Sequence, residues 1–172
     1  MRELDKKKRE LEALVLSIYA GEKKILVYGE GKKNARICLV GEAPGEQETV
    51  QGHPFVGKAG KNLDAFLEMS GLDRSQMYIT NVVKFRPTKI SESGRASNRP
   101  PTREEIRLFL PFLLDEIRLI NPAWVVTLGN VPLQALTDTK ATVDEAHGAP
   151  VPWNERQLYP MYHPASVIYN PS

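Results

Sequence analysis

At 172 residues, 41% hydrophobic and 26% charged, the chain has the size of a single α/β domain over 1–172, and its net charge of +2 permits a polyanionic partner without requiring one. No apolar run reaches the roughly 20 residues of a membrane helix, and the start, MRELDKKKRE, carries no apolar secretory stretch. A lone cysteine, Cys38, excludes an internal disulfide and a cysteine-built metal cluster, so a reducing, cytoplasmic setting is expected.

Residues 3–19 place Leu4, Leu11, Leu14, Val15 and Ile18 at helical spacing, with the run from Lys6 to Arg9 as a solvated face. KILVYGEG (24–31) reads as an edge strand or hairpin, and ARICLVG (35–41) as a buried strand ending in glycine. KNLDAFLEMSG (61–71) is helical, with Leu63, Phe66 and Leu67 on one face and Gly71 as its C-cap. MYITNVV (77–83) is a strand, and 86–101, rich in Ser, Pro and Arg, is expected to be an exposed loop. The helix 102–122 opens on Thr102 and Glu105 at capping-box spacing, carries Pro111, and is stopped by Pro122. AWVVTLGN (123–130) is a strand, VPLQALT (131–137) a short helix, and QLYPMYHP (157–164) a last strand. Near-continuous apolar strands alternating with helices predict a largely parallel sheet covered on both faces.

The strands run into polar residues. ICLV leads to Gly41-Glu42-Ala43-Pro44-Gly45, MYIT to Asn81, WVVTL to Gly129-Asn130, and LYPMY to His163-Pro164. Ligands of an open parallel sheet bind beyond the carboxyl ends of its strands, so four separate stretches are expected to deliver Glu, Asn and His to one rim. Beside that rim lies GHPFVGKAGKN (52–62), which nearly spells a phosphate-binding loop. Eleven residues separate it from the preceding strand, Pro54 has no N–H, Phe55 is bulky, and Ala59 stands where a hydroxyl would hold magnesium. An aromatic in such a loop suits the stacking of a flat ring.

GEAPGEQE (41–48), GHPFVGKAG (52–60), ITNVVKFRP (79–87), NRPPT (98–102), VVTLGN (125–130) and HPAS (163–166) resemble, in order, the blocks of the family 4 uracil-DNA glycosylases. The resemblance implies a three-layer α/β/α sandwich around a four-stranded parallel sheet, and excision of uracil from DNA by turning the nucleotide into a tight pocket formed by Gly41, Glu42, Ala43, Pro44, Gly45, Phe55, Asn81 and His163. Phe55 would stack on the ring. Asn81 would pair its amide with uracil O4 and N3–H, a pattern cytosine does not present, and His163 would donate to O2 as negative charge gathers there. Relatives outside the family carry an aspartate where Ala43 stands, which leaves Glu42, with Glu48 behind it, to position the attacking water.

Family 4 enzymes typically hold an iron–sulfur cluster through four cysteines, whose positions fall here on Leu14, Ser17, Phe85 and Phe109. None of these can replace a thiolate, so no cofactor and no metal are expected, and Phe85 and Phe109 should fill the space beside the N-terminal helix. For DNA, the segment 84–101 carries Lys84, Arg86, Lys89, Arg95 and Arg99 against Glu92 alone, a formal charge of +4. Lys84, Arg86, Arg95, Asn98 and Arg99 are the candidate DNA contacts, joined by Ser166, Val167 and Ile168 in the loop that would wedge into the vacated stack. Uracil-containing or otherwise deaminated DNA is the expected partner, with the protein a monomer at the nucleoid of a prokaryotic cell and away from membranes. Gly45, where some relatives use a bulky ring, leaves open a wider base range such as hypoxanthine or xanthine. A DNA-binding member without turnover is the other reading; the absence of a histidine from 84–101 argues against covalent capture there, the histidines being His53, His147 and His163.

Overall fold

The structure, a computed structural model, describes residues 2–166. Helix α1 (Arg2–Ile18) turns Leu4, Leu11 and Val15 inward. The expected edge strand shrinks to β1 (Glu30–Gly31), and β2 (Ile37–Gly41) forms the centre of the sheet. Two helices follow, α2 (Glu46–Gln51) and α3 (Lys58–Met69), then a 3-10 turn at Arg74–Gln76 and strand β3 (Tyr78–Asn81).

The expected loop at 86–101 is instead a small antiparallel hairpin, β4 (Thr88–Ile90) with β5 (Ala96–Asn98). Its turn is closed by Ser91, whose hydroxyl accepts from Arg95 N–H and pairs with the Ser93 hydroxyl and whose carbonyl accepts from Gly94 N–H, and by Gly94 itself at φ 82°. Helix α4 (Arg103–Ile120) begins with the reciprocal Thr102–Glu105 box the sequence announces, keeps Pro111 within it, and ends on Asn121 in the left-handed conformation. Strand β6 (Trp124–Leu128), helices α5 (Asn130–Thr137) and α6 (Val143–Ala146), and the antiparallel pair β7 (Val151–Trp153) and β8 (Arg156–Met161) complete the described chain.

The main sheet has the order β1-β3-β2-β6-β8-β7. The expected four-stranded parallel sheet is thereby corrected: β3, β2, β6 and β8 do run parallel, but an antiparallel strand lies on each side, giving six strands of mixed direction. Strand alternation divides the core. Cys38, Val40, Tyr78, Val125 and Leu158 pack against α1, α4 and α5 on one face, while Leu39, Ile79 and Leu128 meet Leu63 and Leu67 of α3 on the other. Helices on both faces bury both sides of the inner strands, at about 2 kcal/mol per large apolar side chain. The carboxyl ends of the parallel strands therefore come to one edge, with Gly41 and Asn81 directly paired in register.

The space beside α1 is aromatic. Phe85 and Phe109, both buried, meet edge to face at 5.4 Å, and Tyr19 makes the same contact with Phe85 at 5.4 Å. Leu14 and Ser17 do not share this pocket. They lie on the exposed side of α1, and the inward place near the rings goes to Val15 and to Tyr19 beyond the helix end. Among the described residues no helix is long and apolar enough to cross a membrane, and no cluster of His, Cys, Asp or Glu could hold a metal ion.

Candidate active site

A cavity of about 200 Å³ opens at the carboxyl edge of the sheet, lined by Ala43, Gly45, Glu48, Phe55, Ala59, Gly60, Asn81, Asn98, His163 and Ala165. The rim residues expected from the sequence thus meet at one cavity: Asn81 from the tip of β3, His163 from beyond β8, and Phe55 from the loop between α2 and α3. The Phe55 ring and the Asn81 side chain crowd the Cα of Gly41. A Cβ there would lie 2.5 Å from the ring and closer still to the amide oxygen, so this strand end must be glycine.

Asn81 is buried, and its side-chain amide makes no hydrogen bond among the described residues; what holds it is its main chain, through the ladder with β2 and a bond from the Lys84 ammonium to its carbonyl. His163 is fixed differently. Its Nδ1 accepts from the N–H of Ala165 at 3.0 Å, which places the ring proton of the neutral form on Nε2, and burial lowers its pKa so that the neutral form prevails. Gly129, at φ 96°, lets the chain pass close to this ring, since a Cβ there would be 3.3 Å from His163 Cβ.

The two carboxylates have different employments. Glu48 lines the cavity, but Oε1 accepts from Gly45 N–H (3.0 Å) and Oε2 from Val56 N–H (2.9 Å) and Gly57 N–H (2.7 Å). It ties the two loops of the site together and occupies the helix terminus where a bound phosphate would sit, which closes the phosphate-loop reading of 52–58. Glu42 makes no side-chain hydrogen bond among the described residues, is half-buried, and has its pKa raised by desolvation. Gly41, Glu42 and Pro44 adjoin the cavity in sequence without lining it.

The expected DNA contacts separate. Lys84 is corrected outright: fully buried, it donates to Glu116 Oε1 (2.9 Å), Thr80 Oγ1 (2.7 Å) and the Asn81 carbonyl, because Val82, Val83 and Phe85 around it are core residues. Arg99 forms a two-pronged pair with Glu105 (2.7 and 3.0 Å) that pins the hairpin to α4. Arg86 donates to Asn98 Oδ1 at 2.6 Å and so orients a residue of the cavity wall. Arg95 is exposed on the hairpin. The Ser166 hydroxyl donates to the His163 carbonyl at 2.7 Å, and Val167 and Ile168 lie outside the described residues.

The family model described as "Uracil DNA glycosylase superfamily" matches residues 28–172. The chain belongs to this superfamily, in its family 4 branch. It is 40% identical over 149 residues to the type-4 uracil-DNA glycosylase of Thermotoga maritima, covering 86% of this chain and 73% of that protein. To the type-4 enzyme of Sulfurisphaera tokodaii it is 39% identical over 155 residues, 85% of this chain and 67% of the relative. A crystal structure of Pedobacter heparinus SMUG2 shares the fold at TM-score 0.53 and 15% identity, over 80% of this chain and 68% of that one. The family's iron–sulfur cluster does not fit this chain: its one cysteine, Cys38, is buried in β2, and four thiolates cannot be assembled.

One contact of the site escaped sequence reading. Arg74 grips the backbone of the Phe55 loop from outside the cavity, and nothing in its local sequence signals that reach.

Proposed function

We propose that this protein excises uracil from DNA, holding the extruded base in the cavity between Phe55, Asn81 and His163 and releasing it by hydrolysis of the N-glycosidic bond. The observation that carries the reading is the joint lining of one small cavity by an aromatic ring, a free amide and a neutral imidazole, in a chain of this family.

Phe55 covers one face of the base. The Asn81 amide donates to O4 and accepts from N3–H; held in this orientation it rejects cytosine, which presents the reverse pattern. As the glycosidic bond breaks, its electron pair leaves with the base and charge collects on O2. His163 meets it with Nε2–H, a donor already aimed because Nδ1 is occupied by Ala165 N–H. The sugar becomes oxocarbenium-like, water adds to C1′ from the other side, and the proton it sheds ends on the departing uracil anion. Glu42 positions this water, while Glu48, its oxygens engaged by three N–H groups, shapes the pocket without handling water. Ala43 and Gly45 form the wall near the base and Asn98 the far side, with Gly41 and Pro44 fixing the loop behind them. Exposed Arg95, with Arg86, faces the phosphates, and the segment at Ser166, Val167 and Ile168 fills the gap in the duplex. The protein works as a monomer in the cytoplasm, for which sedimentation at 19.3 kDa is the check.

Uracil release from a labelled oligonucleotide, read as alkali-sensitive strand cleavage, tests the reading. Asn81→Ala and His163→Ala should lose cleavage and retain DNA binding; cleavage by both at the wild-type rate would refute it. Gly45 leaves the cavity wall low, which favours a second, wider reading that admits hypoxanthine, and the same assay with a hypoxanthine oligonucleotide decides it.

A further inference from the structure

Phe55 sits in the left-handed backbone region, at φ 52°, which a bulky residue with a Cβ rarely adopts. Such a conformation persists only where the surroundings over-determine it. Three groups do so here. Gly60 lets the Phe55 carbonyl press against α3, where any Cβ would collide with it. Glu48 holds the N–H groups of Val56 and Gly57 immediately after the ring. The third is Arg74, whose planar guanidinium donates through Nη2 to the Pro54 carbonyl (2.8 Å) and through Nη1 to the Phe55 carbonyl (3.0 Å). Its Nη1 is itself aimed by Asp64 Oδ1 of α3, at 2.7 Å.

We infer that Arg74, oriented by Asp64, is a positioning residue for base stacking: its fork clamps two successive carbonyls and so fixes the left-handed turn that presents the Phe55 ring to the cavity. Only a rigid fork can hold two adjacent carbonyls at once; an ammonium at the end of a flexible stem does not impose that geometry. Arg74 does not line the cavity, so it acts on the base solely through the ring. The inference rests on the stacking role proposed for Phe55.

A double-mutant cycle on the full chain tests it, with kcat/KM on a uracil-containing oligonucleotide measured below every variant's melting transition. Phe55→Ala should lower kcat/KM. Arg74→Met should lower it by roughly tenfold to a hundredfold, the scale of a misplaced binding group, and should have no further effect in the Phe55→Ala background. Arg74→Lys should restore only part of the loss. Equal factors for Arg74→Met in both backgrounds, or no effect in the wild type, would overturn the clamp while leaving stacking intact. An inert Phe55→Ala would instead remove the stacking reading and the clamp with it. Should Arg74→Met not fold, Asp64→Asn takes its place in the same cycle, with a smaller loss expected and the same disappearance in the Phe55→Ala background.

Discussion

Lys84 and Glu116 meet at 2.9 Å with neither side chain exposed to solvent. Around them Thr80 Oγ1 donates to Glu116 Oε1 (2.9 Å) and the Tyr78 hydroxyl to Oε2 (2.6 Å), so both carboxylate oxygens and the ammonium are satisfied. Gly29 closes the network, since a Cβ there would lie 2.6 Å from Glu116 Oε2. Lys84→Met leaves a buried, unpaired carboxylate and should destabilise the fold by about 3–5 kcal/mol in urea unfolding. Lys84→Met combined with Glu116→Leu should recover part of that loss, because an apolar pair is tolerated where half an ion pair is not, while the buried Tyr78 and Thr80 hydroxyls lose their acceptor.

The pH dependence of the site has two opposed parts. Burial lowers the pKa of His163 below 6.5, so as pH falls through 6.5 the unfolded chain takes up this proton first. Stability contributed here is present above 6.5 and is lost as pH drops toward the folded value. Burial raises the pKa of Glu42 above 4.5, so its contribution is present below 4.5 and lost as pH rises through the folded value. In the mechanism proposed above the two act together, because there Glu42 works ionised and His163 neutral. The pH profile of kcat/KM should fall on its acid side at a pH above 4.5, and Glu42→Gln should lower kcat and remove the carboxylate's part of that limb.

Much of this architecture was legible beforehand. Strands show as apolar runs, the Thr102–Glu105 box marks the start of α4, and the strand tips at Gly41, Asn81 and His163 announce the site by where a parallel sheet exposes its ends. Other features were hidden for identifiable reasons. Helix α2 is six residues long with glycine as its N-cap, and β7 carries Pro152 on a sheet edge, so neither has a strong periodic or capping signal. The charge of 84–101 misled because composition counts charges without direction: Lys84 points into the core, and Arg99 is neutralised by Glu105. Glu48 was a second candidate for positioning the water, and its three N–H partners come from residues 3 to 9 positions away, in two loops that only folding brings together.

The hairpin makes a sharper electrostatic prediction than its formal charge. Lys89 and Arg95 are exposed, and no ion pair among the described residues involves them. Each contact with a DNA phosphate contributes about 0.9 to the slope of log K against log salt. Lys89→Gln and Arg95→Gln should each reduce that slope by about this amount in a fluorescence-anisotropy titration. Arg99→Gln should leave the slope nearly unchanged and lower the melting temperature, since it breaks the two-pronged tie to Glu105.

The aromatic group beside α1 should behave as a stabilising core without catalytic duty. Tyr19, Phe85 and Phe109 contact one another in sequence, and the Lys24 ammonium lies 4.8 Å from the Phe85 ring centre and 5.0 Å from that of Tyr19. None of these residues lines the cavity. Phe109→Ala removes a fully buried ring and should cost about 3–5 kcal/mol, whereas Lys24→Gln, at a partly exposed site, should cost about 0.5–1 kcal/mol. At a temperature where both variants remain folded, kcat for uracil release should match the wild type. A Phe109→Ala enzyme that is folded but slow would mean that this region transmits more than stability to the site.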